Sequence, residues 1–395
     1  MTEQRIYLDS AASTPVADEV IQEMIPYLKQ QFGNPSSIHY FGREATRAIQ
    51  LARKRVAGLV GAAKPQEITF TSGGTEADNL AIKGTADYAR SKDPSKNHVI
   101  TSYIEHDAVL EPCRDLERLG YSVTFLPVTQ EGLVRPEDLK GAITPSTALV
   151  SIMHANNEVG TIQPVKELAR IAHDAGALFH TDAVQAAGKM PVDVRDLGVD
   201  LLSMSSHKIN GPKGVGALYI RDGLEIMPII HGGGQESAMR SGTENVPGIV
   251  GFGKACELAG GRLPEYQRQV SALRDYLIEK VLSEIPHSRL NGSKTNRLAP
   301  NAHFTFFGVN GEDLIIKLDE DGIAASTGSA CSVKKQKPSH VLKAMGFSYE
   351  EITGSLRISL SMQNTKEEMD RTVSALAGVV KELRSLSPFK SKYYT

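Results

Sequence analysis

The sequence is poor in cysteine, has no marked excess of either charge and contains no long apolar run. Its three cysteines, Cys113, Cys256 and Cys331, are odd in number and far apart, which excludes a disulfide framework and a zinc site made of closely spaced cysteines. The 44 basic and 46 acidic residues give a formal net charge of -2, which argues against binding nucleic acid or anionic lipid through bulk charge. No apolar run approaches the roughly 18 residues of a membrane span.

The amino-terminal residues do not have the pattern of a secretory leader. Residues 1–7 show no basic segment that leads into an apolar one. We therefore expect a cytoplasmic location without membrane contact. In that reducing compartment a single cysteine can serve as a reagent rather than as a cross-link.

Residues 66–220 alternate short apolar runs with amphipathic segments. Strand-like runs, such as residues 98–102 and 148–153, are separated by helical patterns, such as residues 107–119. This alternation is typical of βαβ units. It predicts an α/β fold whose large domain has a mostly parallel central sheet flanked by helices.

The pattern changes after about residue 260. Long amphipathic helices are predicted at 266–282 and 366–383, with short strands between them. We expect a smaller α+β domain here. The predicted boundaries are 15–260 for the large domain, and 1–14 together with 261–395 for the small one.

The first of three polar clusters is Thr-Ser-Gly-Gly-Thr-Glu at residues 71–76, between a predicted strand and a predicted helix. In an open parallel sheet, ligands bind beyond the carboxyl ends of the strands. Glycines let the backbone approach an anion, and the free N–H groups of a helix start favour phosphate. A plain capping turn, with Thr75 as the cap, fits the same residues.

The second cluster, residues 179–185, ends a strand with Asp182 and continues to Gln185. An aspartate at this place can pair with a cationic ring nitrogen, or it can cap a helix.

The third cluster, residues 203–214, places Lys208 after an apolar strand and before a Gly/Pro turn. A lysine near a strand end is a candidate Schiff-base amine. The alternative is an exposed turn lysine.

Together the anion cradle, the aspartate and the lysine are the groups needed to hold pyridoxal 5'-phosphate. Residues 205–214 resemble the pyridoxal-lysine signature of the NifS/IscS-like cysteine desulfurases, which belong to the class V aminotransferase group of fold type I pyridoxal-phosphate enzymes. Further segments that resemble this family are residues 7–15, 32–39, 104–109, 154–160, 232–236, 240–245 and 326–331.

The resemblance implies roles for residues across the chain. The implied catalytic residues are Lys208, which would bind the cofactor covalently, His106 and Cys331. The implied cofactor-binding residues are Gly74, Thr75, His106, Asn157, Asp182, Gln185, Ser205, His207, Lys208 and Thr243. Asn157 and Arg357 would hold the substrate carboxylate, although Arg357 taken alone reads as an outward residue of an edge strand. No metal is implied.

The resemblance also implies a homodimer, because Thr243 would reach the phosphate of the neighbouring subunit. Cys331 would lie in a small-domain loop at about residues 326–338. This polar stretch contains Lys334, Lys335 and Lys337, whose charge could favour a reactive thiolate. Cys113 and Cys256 lie within apolar helical patterns, and we expect them to be packing residues.

The implied reaction is removal of sulfur from L-cysteine, giving L-alanine and a persulfide on Cys331. The persulfide would serve an acceptor protein, either an iron–sulfur scaffold or a tRNA-thiolation enzyme, without direct nucleic-acid binding. The lysines near Cys331 and the short C-terminal segment leave the acceptor open. The alternatives are a selenocysteine lyase, an aminotransferase-like enzyme and a non-catalytic sulfur-carrier scaffold.

Overall fold

The computed structural model describes residues 5–328 and 338–386. The strands are β1 (Ile6–Tyr7), β2 (Ile68–Thr71), β3 (His98–Ser102), β4 (Ser122–Leu126), β5 (Thr147–Ser151), β6 (Leu178–Asp182), β7 (Leu201–Ser205), β8 (Gly216–Ile220), β9 (Ser288–Leu290), β10 (Asn301–Phe306), β11 (Ile323–Ala324) and β12 (Ser355–Ser359). The α-helices are α1 (Asp18–Lys29), α2 (Tyr40–Leu59), α3 (Gly74–Lys92), α4 (Asp107–Arg118), α5 (Pro136–Ala142), α6 (Val165–Asp174), α7 (Val194–Leu197), α8 (Val246–Glu284), α9 (Gly311–Glu320), α10 (His340–Ala344), α11 (Tyr349–Thr353) and α12 (Lys366–Leu386). Short 3-10 helices lie at Pro65–Glu67, Ser206–Lys208 and Glu236–Ala238.

A seven-stranded sheet forms the centre of the larger part, in the order β2-β8-β7-β6-β5-β3-β4. The neighbours from β4 to β7 are parallel, whereas β8 is antiparallel to both β7 and β2. The predicted α/β class with a mostly parallel central sheet is confirmed. The sheet is therefore parallel except at β8.

Both faces of this sheet are covered by helices. Val99 and Leu149 pack into an apolar cluster that includes side chains of α3 and α4. Their neighbours Ile100 and Val150 pack on the opposite face, in the cluster that includes side chains of α2, α6 and α8. Adjacent strand residues point to opposite faces, so strands that are apolar throughout suit a sheet buried on both sides.

The smaller part is built on the antiparallel sheet β12-β10-β9 and the parallel pair β1-β11. Its apolar cluster combines these strands with α9, α12 and the later turns of α8. Residue 260, where we place the domain boundary, lies inside the continuous helix α8. The first turns of α8 pack with the large sheet, and its last turns pack with the small one.

Helices α1 and α2 are not among the elements predicted from the sequence. The buried face of α2 is made largely of alanine, including Ala45, Ala48 and Ala52. This face packs through close approach of the helix backbone rather than through large side chains. Among the described residues, no helix is both long and apolar enough to traverse a bilayer.

The contact between α2 and α8 gives a test of this close approach. A Cβ atom on Gly253 would lie 2.5 Å from the Cα atom of Ala52, whereas one on Gly261 of the same helix would meet nothing within 4 Å. We expect Gly253→Ala to lower the free energy of unfolding by about 1–3 kcal/mol through overpacking. The matched Gly261→Ala should leave it unchanged or raise it by up to about 1 kcal/mol, because alanine favours a helix. Equal urea unfolding curves for the two variants would contradict this packing.

Candidate active site

A cavity of about 380 Å³ lies beyond the carboxyl ends of the central strands. It brings together most of the site residues predicted from the sequence: Gly74, Thr75, His106, Asn157, Asp182, Gln185, Ser205, His207, Lys208 and Arg357. Thr243 is exposed and lies outside this lining. Cys331 and the three nearby lysines lie outside the described residues.

Lys208 lies in the 3-10 turn that follows β7, and its amine is held inside the protein. Its Nζ atom donates to the backbone oxygens of Ala11 and Ala12, at 2.7 and 2.8 Å. The side chain is half-buried and lines the cavity. This arrangement differs from an exposed turn lysine and presents a primary amine to the site.

Asp182 ends β6 and is only 7% exposed. Its Oδ1 atom accepts a hydrogen bond from the backbone N–H of Val184 at 2.8 Å. The helix cap considered from the sequence is wrong, because a turn rather than a helix follows β6. Burial raises the pKa of Asp182, whereas that N–H and the charges of His106 and Lys208 lower it. The carboxyl group therefore caps the turn and also lines the cavity.

His106 precedes α4 and caps it. Its Nδ1 atom accepts from the backbone N–H of Ala108 at 3.0 Å. Since Nδ1 is an acceptor here, a neutral ring carries its proton on Nε2. The cap fixes the ring at the wall of the cavity.

The first turn of α3 forms part of the cavity wall. The helix begins at Gly74, with Gly73 as its cap, so the alternative with Thr75 as the capping residue is wrong. Thr75 is instead inside the first turn and lines the cavity with Gly74. Burial, followed by the charges of nearby lysines, lowers the pKa of His207 to about 4 and leaves a neutral ring in the cavity wall.

Arg357 is buried at 2% exposure, although β12 is an edge strand. An Nη2–Oδ1 contact of 2.7 Å joins it to Asp9, and its Nη1 atom donates to the backbone oxygens of Asn157 and Gly328 at 3.0 and 3.2 Å. The outward position read from the isolated strand is therefore wrong, because residues from three distant segments cover this edge. The guanidinium group is fixed at the wall of the cavity.

Glu158 connects the two described ends that flank residues 329–337. Ser339 donates to its Oε2 atom at 2.5 Å, and a Cβ atom on Gly328 would lie 3.3 Å from its Cγ atom. Burial raises the pKa of Glu158, and the charges of His340 and Arg357 oppose this rise. Sequence reasoning gave Glu158 no role, although the residue lies within the matching segment 154–160.

Family and structure comparisons agree on the kind of protein. A family model described as aminotransferase class-V matches residues 6–372. The chain belongs to the class-V aminotransferase family. Cysteine desulfurase IscS of Dictyoglomus turgidum is 52% identical over 390 residues, which are 99% of this chain and 98% of that protein.

Solved structures show the same relationship. A NifS-like protein superposes with a TM-score of 0.90 at 40% identity, covering 96% of this chain and 100% of the other. The structure described as SspA in complex with cysteine gives a TM-score of 0.80 at 41% identity, covering 91% of this chain and 100% of that one. The structural similarity to these two proteins therefore extends over nearly the whole of this chain.

Class-V aminotransferases use pyridoxal phosphate, and the residues of this cavity fit that cofactor. At Gly74 a Cβ atom would lie 2.8 Å from Cγ2 of Val184, so there is little room for a side chain here, and the free N–H groups of a helix start favour a phosphate. The hydroxyl of Ser205 lines the same cavity, and the buried carboxyl of Asp182 suits a ring nitrogen. The amine of Lys208 completes the set.

The two described cysteines are sealed inside apolar clusters, as predicted from the sequence. Cys113 is 0% exposed and Cys256 is 1% exposed, and burial raises the pKa of both thiols.

We expect iodoacetamide near neutral pH to leave both cysteines unmodified in the folded protein, because neither thiol is ionised or accessible to the reagent. Peptide mass spectrometry measures this, with urea-unfolded protein as the reactive control. Native labelling of either cysteine at the unfolded rate would contradict the packing role.

Proposed function

We propose that the protein is a cysteine desulfurase in which Cys331 accepts the sulfur. L-cysteine and the Cys331 thiol give L-alanine and a Cys331 persulfide. The bond between sulfur and Cβ of the substrate breaks, a sulfur–sulfur bond forms, and the carbon is reduced while sulfur is oxidised. The observation that carries this proposal is the convergence of Lys208, Asp182 and Arg357 on one cavity, in a chain whose relatives are named cysteine desulfurases.

Pyridoxal phosphate, when bound, supplies the electron sink for the reaction. Gly74, Thr75, Ser205 and His207, which line the cavity, would hold its phosphate. Asp182 would keep the ring nitrogen protonated, Gln185 would bind the phenolic oxygen, and His106 would lie against the ring.

The substrate is held by its carboxylate. Arg357 and Asn157 bind this group, and Asp9 orients the guanidinium through the 2.7 Å contact. A planar guanidinium suits a carboxylate because it can donate two parallel hydrogen bonds. Lys208 moves the proton at the substrate Cα atom, with His106 assisting.

The proposed division into two domains follows the two apolar clusters. We assign residues 15–260 to the cofactor-binding domain, and residues 1–14 and 261–395 to the domain with the cysteine loop at about 326–338. The separate clusters on either side of residue 260 support this division.

A homodimer is the proposed assembly. Large apolar side chains are exposed together in one short segment: Phe32, Ile38, Tyr40 and Phe41, the last with its ring centroid 5.5 Å from that of Phe32. Such a patch is typical of a surface covered by another chain. Thr243 is exposed, which supports its contact with the phosphate in the other subunit.

The sulfur acceptor is proposed to be an iron–sulfur scaffold protein in the cytoplasm. The name IscS of two relatives supports this choice. Transfer to a tRNA-thiolation enzyme is the alternative.

Replacement of Cys331 by serine tests the sulfur-transfer step. We expect Cys331→Ser to reduce alanine formation from L-cysteine by at least about a hundredfold, because the nucleophile is lost. Cys256→Ala is the matched control and should keep turnover. Mass spectrometry of cysteine-treated wild type should show added sulfur on Cys331. Unchanged turnover of Cys331→Ser would instead favour a lyase or aminotransferase-like reaction.

A mixed dimer tests the shared site. One chain carries Lys208→Ala and the other Thr243→Ala, with different affinity tags, so one of the two sites in the mixed dimer has both native residues. We expect about half of wild-type activity at limiting pyridoxal phosphate, above that of either mutant homodimer.

If Thr243 served the site of its own chain, the mixed dimer would reach only about half of the Thr243→Ala homodimer activity. That result would contradict the shared site.

A further inference from the structure

Lys189 is a buried lysine beside the active site, and none of the sequence motifs assigns it a role. It is 4% exposed and lies in the turn after β6, four residues beyond Gln185. It also lines a second cavity of about 290 Å³ that shares Lys208 with the site. Burying a lysine destabilises the folded state unless its amine is paired, so the hydrogen-bond partner of Lys189 indicates its role.

The partner of Lys189 is the side-chain amide of Gln185. Nζ of Lys189 donates to Oε1 of Gln185 at 2.9 Å. On its other side, Nε2 of Gln185 donates to the backbone oxygen of Ala11 at 3.0 Å. In its charged form Lys189 can only donate, so this form sets the amide oxygen towards Lys189 and the amide nitrogen away from it.

This orientation places the amide nitrogen of Gln185 next to Lys208. The oxygen of Ala11 accepts from Nε2 of Gln185 and also from Nζ of Lys208, at 2.7 Å. The N–H groups of Gln185 and the amine of Lys208 therefore lie side by side. A cofactor joined to Lys208 would place its phenolic oxygen within this region, where an N–H donor is needed.

Lys189 remains a hydrogen-bond donor to Gln185 whatever the effect of the surrounding charges on its protonation. Burial and, to a lesser extent, the cationic groups of Lys208 and Arg357 together lower the pKa of Lys189 to about 7. Asp18, Glu19 and Arg262 line the second cavity. Both the charged and the neutral amine retain N–H bonds to donate to Gln185.

We propose that Lys189 is a positioning residue that holds the amide of Gln185 with its nitrogen towards the phenolic oxygen of the cofactor. This inference rests on the proposed function. The donated hydrogen bond stabilises the anionic phenolic oxygen. The nitrogen of Lys208 bonded to the cofactor then holds its proton less tightly. Loss of Lys189 lets the amide turn and weakens that hydrogen bond.

The test is a spectroscopic pH titration of the purified holoenzyme without substrate. We expect Lys189→Met to move the midpoint of the visible absorbance transition to higher pH by about one unit, comparable to a lost charge-assisted hydrogen bond. Lys189→Arg, which keeps a donor, should move it less. Lys166→Met is the matched control, because this exposed lysine pairs with Asp196, and it should not move the midpoint.

A double-mutant cycle distinguishes orientation from charge alone. Gln185→Leu should itself raise the midpoint, and adding Lys189→Met to it should produce no further shift. Additive shifts would overturn the proposal, because Lys189 would then act without Gln185. An unshifted midpoint for Lys189→Met, in a variant that melts like the wild type and binds pyridoxal phosphate, would overturn it as well.

Failure of this inference is separate from failure of the proposed function. Absence of alanine formation by the wild type would overturn the desulfurase reaction. The titration needs only bound pyridoxal phosphate and reports on the Lys189–Gln185 pair.

Discussion

Removal of charged side chains from water in and beside the cavity is the constraint on which the site depends. Asp182, Glu158, Lys189 and Arg357 are each at most 7% exposed. A buried charge destabilises the fold unless it is paired or hydrogen-bonded. The required partners come from different elements, including Asp9 after β1 and the backbone oxygen of Asn157 after β5, and the contact of Arg357 with Asn157 links the smaller part to the larger one. Loss of one partner would leave another charge buried and unpaired.

Burial also makes two of the three cysteines unreactive. Cys113 packs with α3, and Cys256 packs in the cluster on the other face of the sheet. Neither thiol has access to solvent, and burial raises the pKa of each. Gly328 and Ser339, which flank residues 329–337, both lie beside Glu158.

The sequence predicts the sheet and most of the cavity well, because strand–helix alternation and polar residues after strands are local signals. Strand direction is not local, so periodicity cannot show that β8 runs opposite to its neighbours. The position of Arg357 also depends on distant segments that cover an edge strand. Lys189 and Glu158 look ordinary in the sequence, since their roles arise from burial and from one side-chain partner each.

The first described residues complete the site, although their partners come late in the chain. Asp9 and Ala11 contact Arg357 and Lys208, and β1 pairs with β11 near the other end. During synthesis, residue 359 leaves the ribosome on the order of tens of seconds after residue 9. A nascent chain therefore cannot close its cavity until almost all of it has been made. Stable capture of the cofactor is thus an event that follows translation, and a truncated chain has no finished site to occupy.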